Sequence, residues 1–108
     1  MIKVLNDENY KDLILQGTTP SFLVFYTKTC HPCKVLENLI STKINEYAEK
    51  NNVDILSCDI TKNKKIKEKF QVISVPLTIS ITKSRKFQNI LFGVKNIEEY
   101  FKAIDDIT

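Results

Sequence analysis

Phe22-Leu-Val-Phe-Tyr-Thr-Lys-Thr-Cys-His-Pro-Cys-Lys34 is an apolar, β-branched and aromatic run that ends in a Cys-x-x-Cys. A long helical pattern follows at once, from Lys34 to about Lys50. The spacing therefore puts two thiols where a buried strand turns into a helix. The first turn of a helix offers free N–H groups and the positive end of its dipole. Both favour a thiolate over a thiol, and the thiolate is the nucleophile in disulfide exchange. Pro32 suits that first turn, where its missing N–H costs nothing. Cys30, just before the helix, is expected to be the exposed thiol of low pKa. Cys33, inside the first turn, is expected to be shielded and able to resolve a mixed disulfide formed on Cys30.

The chain has 108 residues, enough for one domain (1–108) and one core. Its 43% apolar and 27% charged content is ordinary for a globular protein. No apolar run approaches the roughly 18 residues of a membrane span, and no secretory signal is visible at the start. The formal charge of +3 is too mild and too evenly spread to imply nucleic acid. The densest basic run, Lys62-Asn-Lys-Lys-Ile-Lys-Glu-Lys69, reads as the solvated face of a short helix, with a docking patch for an acidic partner as the sharper alternative. Three cysteines make an odd count. One close pair and a distant Cys58 fit a redox motif in a reducing, cytoplasmic setting better than a disulfide-stapled fold. Cys58 itself reads as a core thiol on a central strand.

Taken in order, Ile2 to Leu5 is a short strand. Asn6 caps a helix whose first turn holds Asp7 and Glu8, with Tyr10, Leu13 and Ile14 inward and Gly17 closing it. Ser21 to Tyr26 is a strand buried on both faces. The helix after Cys33 directs Val35, Leu36, Leu39, Ile40, Ile44, Tyr47 and Ala48 to one side, and Asn51-Asn52 ends it. Val53 to Ile60 is the next strand, and Thr61 to Phe70 a lysine-rich helix with Ile66 and Phe70 inward. Leu77 to Ile81 and Phe87 to Phe92 form a hairpin about the polar turn Lys83 to Lys86. Asn96 caps a last helix with Ile97, Tyr100, Phe101 and Ile104 inward. The expected architecture is α/β: a mixed central sheet of five strands, in the order βαβαβαββα, flanked by four helices.

This order, with Cys-x-x-Cys after the second strand, resembles the thioredoxin family over essentially the whole chain. Three landmarks carry the resemblance: Phe25-Tyr-Thr-Lys-Thr-Cys-His-Pro-Cys-Lys34, Ser74-Val75-Pro76, and Phe92-Gly93-Val94. The resemblance implies that Pro76 is cis, faces the cysteines and leaves the Val75 backbone free to pair with an extended peptide. It places Thr29, Val75, Pro76 and Gly93 around the substrate. It implies a thiol–disulfide oxidoreductase acting on protein disulfides as a monomer. No metal or organic cofactor is needed, because the cysteine pair carries the electrons. An external reductase such as a thioredoxin reductase would return them. Neither nucleic acid nor membrane is expected as a partner.

The chain departs from the family pattern in four places. Thr29 stands where thioredoxins carry Trp. Val24 stands at the buried Asp given a proton-shuttling role, and Ile55 near that Asp's Lys partner. Asn38 replaces a mid-helix Pro. His31 is a further distinguishing feature. A cationic imidazole between the cysteines favours the Cys30 thiolate, hence the reduced form, hence a more oxidising disulfide. The plain alternative is an exposed His with little effect. Two rival functions remain open. One is a glutaredoxin-like enzyme, against which stand the Cys-His-Pro-Cys order and the single Gly93. The other is a binding or adaptor subunit whose cysteines do not turn over. A zinc site lacks ligands.

Overall fold

The computed structural model describes residues 2–108. Five strands form one sheet among them, in the order β1-β3-β2-β4-β5. They are β1 (Ile2–Val4), β2 (Ser21–Tyr26), β3 (Asp54–Asp59), β4 (Leu77–Ile81) and β5 (Phe87–Phe92). β1, β3 and β2 run parallel, β4 pairs antiparallel with β2, and β5 pairs antiparallel with β4 at the sheet edge. The four flanking helices are α1 (Lys11–Leu15), α2 (from His31), α3 (Lys64–Lys69) and α4 (Ile97–Asp105).

β2 is the central strand, and its first five residues are all buried. The strand's two-residue period sends alternate side chains to opposite faces. Leu23 and Phe25 join a core with Ile14 of α1 and Ile66 of α3. Phe22 and Val24 join a second core with Leu36, Ile40, Ile44 and Ala48 of α2 and Tyr100, Ala103 and Ile104 of α4. Each buried Val, Leu, Ile or Phe side chain among them contributes about 1.5–3 kcal/mol of hydrophobic burial. The continuous apolar run of β2 is thus the consequence of helices on both faces.

Several details differ from expectation for physical reasons. α2 begins at His31, runs as an α-helix to Leu39, widens into a π-helical stretch at Ile40–Ile44 and resumes over Asn45–Lys50. At the widening, the Asn38 carbonyl accepts the hydroxyls of Ser41 (3.1 Å) and Thr42 (2.7 Å). The inward face of α2 is narrower than its apolar pattern: Val35 is 43% exposed, and Leu39 and Tyr47 are only half-buried. Phe101 is likewise half-buried, stacked on Tyr47 with ring centroids 4.4 Å apart. Asn6 does cap its own segment, its carboxamide oxygen accepting the N–H groups of Glu8 (3.0 Å) and Asn9 (2.8 Å). Asp7, however, serves α3: its carboxylate accepts the Ile66 N–H at 3.0 Å and the Lys65 N–H at 3.3 Å. α3 is shorter than expected, and its lysines are exposed.

Gly17 does not close α1 by a left-handed turn; the positive-φ glycine is Gly93 (φ 75°). Gly17 is needed for space, because a Cβ there would meet the Leu13 carbonyl and the Arg85 guanidinium. Arg85 Nε donates to the Gly17 carbonyl at 2.6 Å, tying the β4–β5 turn to the loop before β2.

Both glycine-to-alanine changes should lower stability in urea unfolding, for different reasons. Gly17→Ala should lose about 1–3 kcal/mol through overpacking. Gly93→Ala has open space around it and should lose about 1–2 kcal/mol through backbone strain alone. Cys58 is fully buried, and burial, with Asp7 and Asp59 adding to it, pushes its thiol up to about 12. It should resist alkylation by iodoacetamide in the native protein and react once the chain is unfolded. Its effect on stability is absent below the ordinary thiol range, and stability falls as pH rises from there toward about 12.

Candidate active site

Cys30 occupies the position before the first helical residue of α2, in extended conformation (φ −87°, ψ 112°). There its sulfur takes the place of the usual Ser or Asp oxygen and accepts the Cys33 N–H at 3.1 Å. The two cysteines form a disulfide with Cα atoms 5.2 Å apart. Cys30 is partly exposed, whereas Cys33 is 6% exposed and belongs to the side of α2 facing the sheet. The asymmetry follows from the chain path. β2 delivers the pair to the rim of the sheet, and the first turn of α2 folds the second cysteine under the first.

The peptide bond between Val75 and Pro76 is cis. The Val75 carbonyl oxygen lies 3.8 Å from Cys30 Sγ. Pro76 is buried, and its carbonyl accepts the Gly93 N–H at 2.9 Å. The three segments singled out in the sequence therefore meet at one place. Among the described residues the Val75 N–H has no hydrogen-bond partner. Thr29 is exposed in the turn before α2, and His31 and Pro32 are exposed at its first two positions. Exposed apolar side chains stand on the same three segments: Val35, Val94 and Ile73, the last 91% exposed.

Two contributors were not legible as such. Tyr100 reads in sequence only as an apolar position of α4. It is fully buried, and its hydroxyl accepts the Lys95 N–H (3.0 Å) and donates to the Gly93 carbonyl (3.4 Å), fixing the loop that meets Pro76. The second is a cavity of about 220 Å³ beneath Cys33, walled by Val24 and Ile55 and bordered by Glu37. Helical spacing from Cys33 was the available signal for Glu37. No group of three or more His, Cys, Asp or Glu side chains among the described residues is arranged to hold a metal. No helix among them is long and apolar enough to cross a membrane.

The thioredoxin family model matches residues 1–106. The chain is 26% identical over 95 residues to a thioredoxin of Rickettsia prowazekii, covering 88% of each chain. It is 28% identical over 98 residues to a thioredoxin of Chlamydia pneumoniae, covering 91% of this chain and 90% of that one. Over 105 residues it is 23% identical to a probable protein disulfide-isomerase A6 of Medicago sativa, covering 97% of this chain and 29% of the other. With a cysteine pair at the start of α2 and a cis-proline loop against it, the chain belongs to the thioredoxin family and is a thiol–disulfide oxidoreductase.

Proposed function

We propose that Cys30 is the attacking thiol and Cys33 the resolving one, acting on protein disulfides. The observation that carries this is the pairing of a partly exposed Cys30 sulfur with the N–H of a buried Cys33 at the start of α2. A donor aimed at Cys30 Sγ, together with the helix dipole, stabilises a thiolate there. That thiolate attacks one sulfur of the substrate disulfide, and the other sulfur leaves as a thiolate. A mixed disulfide now joins Cys30 to the substrate. Cys33 loses its proton and attacks Cys30 Sγ, the internal disulfide forms, and the substrate departs as a dithiol.

Thr29, Val75, Pro76 and Gly93 line the approach to Cys30 in this reading, and the unpaired Val75 N–H can add a substrate backbone as an extended strand. Val35, Ile73 and Val94 supply apolar contact for the residues flanking the substrate cysteine. Electrons return from an external disulfide reductase, such as a thioredoxin reductase. No further cofactor enters, because two thiols carry two electrons. The protein works as a monomeric single domain in a reducing compartment, the cytoplasm.

His31 and Pro32 set the poise of the pair. The imidazole sits at the first helical position beside Cys30 and is exposed. When protonated it favours the Cys30 thiolate and so makes the disulfide more oxidising.

Three measurements test the proposal. Cys30→Ser should abolish protein-disulfide reduction, whereas Cys33→Ser should accumulate a mixed disulfide separable by non-reducing electrophoresis. Loss of turnover with no trapped species in Cys33→Ser would refute the resolving role. Equilibration with glutathione should place the pair above the roughly −270 mV of ordinary thioredoxins and toward the roughly −180 mV of isomerases. His31→Ala should raise the Cys30 pKa and make the pair more reducing; a shift of one unit equals about 1.4 kcal/mol, or about 30 mV. An unchanged Cys30 pKa in that variant removes His31 from the account.

A further inference from the structure

Resolution of the mixed disulfide requires Cys33 to give up a proton, yet Cys33 is 6% exposed and its backbone N–H is engaged by Cys30. Bulk water therefore reaches its sulfur poorly from the substrate side. Cys33 also lines the cavity of about 220 Å³ between α2 and the sheet. That space is large enough for several water molecules, each needing roughly 10–15 Å³ by this measure. Its sheet wall near Cys33 is apolar, made by Val24 of β2 and Ile55 of β3. Its border carries one carboxylate, that of Glu37. Glu37 follows Cys33 by four positions within the regular part of α2, so the two side chains occupy the same helix face about one turn apart. Tyr26 of β2 adds a phenolic hydroxyl to the wall, which can exchange hydrogen bonds with water. Ser57 of β3 and Ser41 of α2 add hydroxyls that can hold water.

We propose that Glu37 is the proton acceptor for Cys33, taking the thiol proton through water held in the cavity that both side chains line. The step rests on the assignment of Cys33 as the resolving thiol. The Cys33 S–H proton passes to a cavity water as that water yields one to the Glu37 carboxylate. The Cys33 sulfur attacks Cys30 Sγ, the Cys33–Cys30 bond forms, and the bond from Cys30 to the substrate breaks. The substrate sulfur leaves with the electron pair and takes a proton from solvent, and Glu37 returns its proton through the same cavity mouth. A carboxylate at the exposed mouth can exchange that proton with solvent between turnovers; Glu37 is exposed and Cys33 is not.

The test uses the fully reduced protein and the aromatic disulfide dithiobis-nitrobenzoate, followed by stopped-flow absorbance. The first nitrothiobenzoate released reports attack by Cys30; the second reports attack by Cys33. In Glu37→Gln the first release should keep its rate. The second should slow by about 100-fold at about pH 6, at the lower end of the range for general base catalysis. Its rate in the variant should also fall about tenfold per pH unit below the thiol range, as attack by a pre-formed thiolate requires, while the native chain stays above that line. A second release in Glu37→Gln as fast as in the native chain overturns the proposal. So does a faster one, which would mean that the carboxylate acts only as a negative charge holding the thiol protonated. Absence of any second release in the native chain would instead overturn the assignment of Cys33 itself.

Discussion

Burial of β2 on both faces is the constraint on which the molecule depends. Because Phe22 and Val24 face one core and Leu23 and Phe25 the other, helices must cover both sides of the sheet. β2 must also be central, paired with β3 in parallel and with β4 in antiparallel register. Its end is then fixed in space by neighbours on four sides. The chain can leave only at the rim, where α2 begins. The cysteine pair inherits that rigidity: Cys30 caps the helix, Cys33 lies beneath it, and the N–H of the second is aimed at the sulfur of the first.

The chemistry follows from this placement more than from any unusual side chain. Disulfide exchange needs one thiol that ionises and is reachable, and a second that is close but withheld. A helix N-terminus at a sheet rim supplies both conditions with ordinary cysteines. The cis-proline loop completes the site. β4 starts immediately after Pro76, so the antiparallel pairing of β4 with β2 brings Val75 to Cys30. Gly93, at the end of β5, holds Pro76 from the other side, and the buried Tyr100 hydroxyl holds Gly93. Two long-range pairings and one buried phenol thus maintain a distance of 3.8 Å between residues 45 apart in sequence.

Cys58 shows how environment separates three chemically identical side chains. It lies opposite Phe25 in the β2–β3 register, one position along from Val24, and so on the opposite face of the sheet from Val24 and the cavity that Val24 and Cys33 line. Buried in an apolar core, with no hydrogen-bond donor to its sulfur among the described residues, it is pushed up to about 12. Cys30 has both the donor and the solvent.

Much of this was legible in the chain itself, because it depends on local patterns. The continuous apolar run of Phe22 to Phe25, the Cys-x-x-Cys before a helical period and the X-Pro before a strand each constrain the backbone within a few residues. The succession of strands and helices along the chain and the unequal exposure of the two cysteines follow from them, whereas which strands lie side by side is set by long-range pairing. What the sequence could not decide involves partners distant along the chain. Asp7 reads as a residue of its own helix and caps α3 instead, because folding brings the Ile66 N–H to it. Gly17 reads as a helix stop, but its lack of a side chain matters because Arg85 arrives from the β4–β5 turn. Val35 fits the apolar face of α2 by spacing, yet it joins neither core and stays exposed. The cavity beneath Cys33 belongs to no single segment. Period and composition determined which residues turn inward; only the tertiary packing decided what each of them meets, since a contact across the fold has no signature in the spacing of either partner.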